Sequence, residues 1–162
     1  VRQWGKAGTA GGGAYTVDVV MHRLHSGQYV VADVVRGQFG ALDREQRIKQ
    51  TAAADGVKTK VVVEQEPGSG GKESAESTIR NLSGYRVEAD RVTGDKVTRA
   101  EPYAAQVQGG NVALVAAPWN NAFIAEHETF PNGTYKDQVD AAAGAFAHLS
   151  PIGAGIQGLT TW

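Results

Sequence analysis

The 162 residues carry 16 Lys and Arg against 17 Asp and Glu, a formal net charge of −1, which excludes a whole-domain basic surface for nucleic acid, so any such contact is local. With no cysteine, a disulfide scaffold and any thiolate metal site are excluded, and a reducing compartment fits. No apolar run approaches a membrane span, Val1-Arg2-Gln3-Trp4 lacks a signal-peptide pattern, and the length suits one soluble domain with its own core.

Residues 1 to 6 read as a strand, in a chain that starts at Val1 without methionine and so reads as excised from something longer. Gly8 to Gly13 read as a flexible loop, Tyr15 to Leu24 as an antiparallel strand, His25-Ser26-Gly27 as a turn and Tyr29 to Val35 as a third strand. Together they predict a meander. From Leu42 to Ala54 the pattern becomes helical and stops at Asp55-Gly56. A valine strand then runs from Lys60 into Glu64-Gln65-Glu66 and opens into a glycine loop from Pro67 to Lys72. Next come a helix over Glu73 to Leu82 ending near Gly84, a strand over Tyr85 to Ala89, and a helix over Ala100 to Gln108 stopped by Gly109-Gly110. A strand at Val112 to Ala116 precedes two helices, Asn120 to Thr129 and Lys136 to Leu149, parted by Pro131-Asn132-Gly133. From Ser150 onward no period is evident, and residues 150–162 read as a loosely held tail behind a domain of residues 1–149. An antiparallel meander followed by alternating helices and strands predicts an α/β fold, a mixed sheet with helices on both faces in the ribonuclease H-like arrangement.

Several familiar sites fail on spacing. A Walker loop around Gly71-Lys72 would need glycine where Glu66 stands and Ser or Thr where Glu73 stands, and Gly11-Gly12-Gly13 lacks the dinucleotide fingerprint. His22 and His25 fit a surface hairpin better than a metal site, and no Gly-x-Ser-x-Gly elbow occurs.

The acids offer more. Glu64 and Glu66 fall on one face of an extended strand, so either could be a ligand, at the carboxyl end where open α/β sheets collect them. Asp137 and Asp140 share a helical face at a helix start, with Val139, Ala142, Ala143 and Phe146 roughly opposite. Taken alone, that pair is an ordinary polar face favoured by the helix dipole, although Ala141 and Gly144 leave room for a close neighbour. The positive residues Lys72, Arg80, Arg86, Arg91, Lys96 and Arg99 cluster in the middle, where ordinary solvation explains each one singly about as well as a site does.

Four ordered runs, Glu64-Gln65-Glu66-Pro67-Gly68-Ser69-Gly70-Gly71-Lys72, Thr93 to Pro102, Phe130-Pro131-Asn132-Gly133 and Asp137-Gln138-Val139-Asp140-Ala141, resemble the nuclease domain of tailed-phage terminase large subunits. So does the opening, Arg2 to Thr9 followed by Gly12 to Val17, and the likeness spans residues 1 to about 149. It implies a ribonuclease H-like fold and a metal-dependent endonuclease that cuts concatemeric double-stranded viral DNA. It further implies two Mg2+ or Mn2+ ions, portal and small-terminase-subunit partners, no membrane, and the cytoplasm of an infected or lysogenic bacterial host. The family's amino-terminal ATPase motor has no counterpart in these residues. Carried over by position, Glu64 is the central-strand acid and Asp137 the helix acid, with Asp140 and Glu66 in support. Lys72, Lys96 and Arg99 become candidates for phosphate contacts.

Two departures stand out. Gly5 occupies the position of the expected first-strand aspartate, and Lys136-Asp137 replaces what is often an aspartate pair. Both an engineered inactivation and a decayed prophage copy are open as origins of Gly5, with Asp18 as a candidate substitute. The rival readings are a non-catalytic packaging component that binds DNA or the portal, and a junction-resolving nuclease on the same fold.

Overall fold

Apolar alternation in the first forty residues resolves into three paired strands, β1 (Arg2–Gly5), β2 (Thr16–Arg23) and β3 (Tyr29–Gly37), in a computed structural model that describes residues 1–7 and 13–150. The rest of the chain alternates helix and strand: α1 (Ala41–Asp55), β4 (Val61–Gln65), α2 (Ser69–Asn81), β5 (Val87–Arg91), α3 (Lys96–Gln108), β6 (Val112–Leu114), α4 (Asn120–Thr129) and α5 (Asp137–Leu149). The sheet order is β5-β4-β1-β2-β3-β6, with β1, β2 and β3 antiparallel and the outer pairings parallel. This is the expected mixed sheet. Residues 8–12 of the glycine loop and 151–162 of the tail lie outside the described residues.

Helices cover both faces because the strands bury both of their side-chain sets. On one face Trp4, Val61 and Val63 pack with Ile48 and Ala52 of α1 and Ala75 of α2. On the other, Val17, Val19, Met21 and Val31 meet α3, α4 and α5 through Tyr103, Phe123 and Phe146. Helix α5 is buried well beyond its predicted stripe, with Gln138, Ala141 and Ala145 as well as Val139, Ala142, Ala143 and Phe146 out of solvent. It lies close to β1: a Cβ on Gly144 would stand 2.9 Å from Gln3 Cδ, so the small residue expected to admit a neighbour does so.

Several boundaries differ from those expected, and four of them bear on the site. Helix α2 starts at Ser69, so most of the expected glycine loop is helix; a Cβ on Gly71 would fall 2.1 Å from the Glu66 carbonyl oxygen, and only glycine permits that first turn. Strand β4 ends at Gln65, which takes Glu66 off the strand and off the face it was expected to share with Glu64. Helix α3 starts at Lys96 because Asp95 caps it, its carboxylate accepting from the Val97 and Thr98 amides, and Pro102 is carried inside the helix. Strand β5 is two residues later than expected and includes Asp90.

Candidate functional site

Strand registry decides which acids can meet. Gln3 pairs with Val62 and Trp4 with Val63, so Gly5 follows opposite Glu64; on the other side of β4, Glu64 pairs directly with Asp90 of β5. Paired residues project to the same face. Gln3, Gly5, Glu64 and Asp90 therefore all face α5, whose first turns carry Asp137 and Asp140.

Gln3, Glu64, Asp90, Arg99, Asp140 and Gly144 line one cavity of about 160 Å3. A larger cavity of about 620 Å3 adjoins it beyond Arg99, lined by groups such as Tyr29, Pro102 and Phe146 and by no carboxylate. The acids place the candidate chemistry in the smaller one.

Burial raises the Glu64 carboxyl to about 7, and the nearby Asp140 charge adds to the rise while Arg99 and Lys96 oppose it. Asp140 is nearly buried and bound by the Arg99 guanidinium, with Lys96 Nζ 3.3 Å from its second oxygen. Lys96 also reaches Asp137 Oδ1 at 3.2 Å. Burial works against the Lys96 ammonium, but Asp140 and Asp137 outweigh it and raise its pKa. Asp137 spends its other oxygen on the Tyr15 amide, which donates to it at 2.9 Å. The hydrogen bond from His148 holds Asp90 below its usual range.

Two of the expected acids, Glu64 and Asp140, thus line a common cavity. Asp137 stands one turn earlier on the same lysine and does not line it. Glu66 and Lys72 line a separate groove beside α2 with Arg91, and Lys72 is exposed within reach of Glu76. Asp18 is no substitute ligand: it pairs with Trp4, which turns it to the opposite face, where it is fully buried against Arg2. A Cβ on Gly5 would lie 3.4 Å from Glu64 Oε2, so a side chain there would face Glu64 in ordinary contact.

Asp90 escaped the sequence reading. With the strand expected to end at Ala89, its facing was undefined, and its alignment with Glu64 depends on a pairing between strands that no local pattern encodes.

The donors in the cavity are all oxygen, the hard type that suits Mg2+ or Mn2+, and the mutual repulsion of Glu64 and Asp140 is what a cation relieves. Yet among the described residues no three His, Cys, Asp or Glu are grouped as a metal shell. Lys96 and Arg99 supply the positive charge beside Asp140.

Comparison with known proteins agrees with this architecture. The large terminase nuclease from thermophilic phage G20c with bound magnesium superposes with a TM-score of 0.65 at 17% identity, over 91% of this chain and 80% of that one. A second structure of the G20c nuclease gives a TM-score of 0.56 at 14% identity, over 84% and 76% of the two chains. No curated protein matches. The fold likeness is joined by a sequence match over residues 7–149 to the terminase RNaseH-like domain, and with nearly every described element inside that match, the chain belongs to this terminase nuclease-domain family.

Proposed function

We propose that this domain is a divalent-metal-dependent endonuclease acting on double-stranded DNA during viral packaging. The observation that supports it best is that Glu64 from the central strand and Asp140 from the last helix share one cavity with Arg99 at its wall. Glu64 and Asp140 hold the ion or ions, Mg2+ or Mn2+, with Asp137 and Glu66 as more distant acids. When bound, such ions activate water and stabilise the leaving oxygen of a phosphodiester. Arg99 and Lys96 hold the Asp140 carboxylate and, with Lys72, position backbone phosphates without reading bases. Glu64 must lose its proton before it binds a cation, so metal affinity rises with pH through about 7. The portal, the small terminase subunit and the cytoplasm of a bacterial host belong to the same proposal; among the described residues no helix is long and apolar enough to cross a membrane.

Plasmid nicking in Mn2+ is the direct test. Weak nicking is expected from this sequence, none from Glu64→Gln, and a gain of about tenfold or more from Gly5→Asp, which adds a ligand beside Glu64. Vigorous cleavage that survives Glu64→Gln overturns the assignment. One observation favours a second reading, a DNA- or portal-binding component without catalysis: the described acids are not grouped as a metal shell. In that case DNA binding weakens on charge reversal at Lys72, Lys96 and Arg99, while Glu64→Gln leaves Mn2+ binding unchanged.

A further inference from the structure

Glu64 has two neighbouring strands, and they offer it different things. On the β1 side stands Gly5, which has no side chain to give. On the β5 side, in direct register, stands Asp90, turned to the same face and lining the same cavity as Glu64 and Asp140. A second observation concerns Gln3. Its side chain is 3% exposed and lines that cavity, and its Oε1 is buried with no hydrogen-bond partner. A buried amide oxygen left unsatisfied is costly, and a metal ion or one of its bound waters is a partner for it.

We propose that Asp90 is a ligand of this site, supplying from β5 the carboxylate that β1 lacks, so that a divalent cation is held by Glu64, Asp90 and Asp140 with the Gln3 amide oxygen directed at the ion or its water. The assignment rests on the metal-dependent reading above and goes beyond it in naming where the third carboxylate comes from. Asp90 and Asp140 each already have a side-chain partner, the His148 ring Nε2 at 3.4 Å in one case and the Arg99 guanidinium in the other. As they stand the three acids are not grouped as a metal shell, so an ion has to draw them together in competition with both partners. Asp90 is 37% exposed, so its replacement does not empty the core.

Titrating the metal-free chain with MnCl2 by calorimetry at pH 8 tests this without reference to cleavage. Asp90→Asn weakens Mn2+ binding by about tenfold or more, while His148→Gln, which removes only the partner of Asp90, stays within about twofold. Adding Gly5→Asp to Asp90→Asn restores binding, because the carboxylate returns on the other flank of Glu64. Circular dichroism confirms that each variant is folded. If Asp90→Asn binds like the parent while Glu64→Gln does not bind, the assignment of Asp90 fails and the metal site stands. If neither substitution changes Mn2+ binding, the metal-dependent reading falls with it. If His148→Gln weakens binding as much as Asp90→Asn, the pair is structural and Asp90 is not a ligand.

Discussion

Glu64 and Arg2 sit on adjacent strands and show the two ways a carboxylate is kept in this core. Glu64 is held without a dedicated cation, and its carboxyl is raised from the usual 4.5 to about 7 by burial and by Asp140. A raised folded-state value means the native chain binds the proton more tightly than the unfolded one. That stability is fully present below about 4.5 and is lost as pH rises through about 7. Metal-free Glu64→Gln should therefore be more stable than the parent at pH 8, by about 2 kcal/mol after discounting for partial exposure, and indistinguishable from it at pH 4.5. Urea denaturation at the two pH values measures this. On the opposite face, Arg2 binds Asp18, Asp55 and Asp33, the last at 3.1 Å, and is itself 3% exposed. Arg2→Met strands Asp18 in the core and should cost about 3–5 kcal/mol at neutral pH. Burial has already raised Asp18 to about 7, so the loss should shrink at pH 5.5, where Asp18 takes up a proton.

At the scale of elements, α5 matters most, because it brings Asp140 to the sheet. Its N-cap, Lys136, offers no side-chain cap. The service comes from α4: buried Glu126 accepts from the Gln138 amide at 2.6 Å and the Val139 amide at 3.3 Å, and from Gln138 Nε2 at 2.7 Å. A carboxylate at a helix N-terminus satisfies free amides and favours the dipole. Glu126→Ala should destabilise the fold by about 2 kcal/mol in thermal or urea denaturation, because it strands buried donors, and Glu126→Gln by less. The same start of α5 orients Asp137 and Asp140, so under the proposed metal-dependent function loosening it should also weaken Mn2+ binding. Sequence periodicity located this helix to within a residue of its start, since its apolar spacing is local. Its cap was invisible, because Glu126 lies a full element away in the chain.

For the whole molecule, the near-zero net charge restricts DNA contact to a few cations. With Lys72, Lys96 and Arg99 as the contacts, and about −0.9 per neutralised phosphate, the slope of log affinity against log salt should be about −3 or shallower. Fluorescence anisotropy with a labelled duplex across a salt series checks this, and reversing all three charges should flatten the slope. Lys96 and Arg99 are shared with Asp137 and Asp140, so the local charge depends on what else those acids hold.

By itself the sequence determined the order of elements, the meander and the covering of both sheet faces, and it set Glu64 at the end of the valine strand as a candidate acid. Each follows from periodicity, capping glycines or a run of valines, which act over a few residues. Only the tertiary structure decided that Glu66 leaves the strand, that Asp18 faces Arg2, that Asp137 is tied to Tyr15 and Lys96, and that Asp90 stands beside Glu64. These depend on registry between strands and on where a helix meets a sheet. A shift of one residue in either turns a side chain to the other face, and neither is written in any local stretch of the chain.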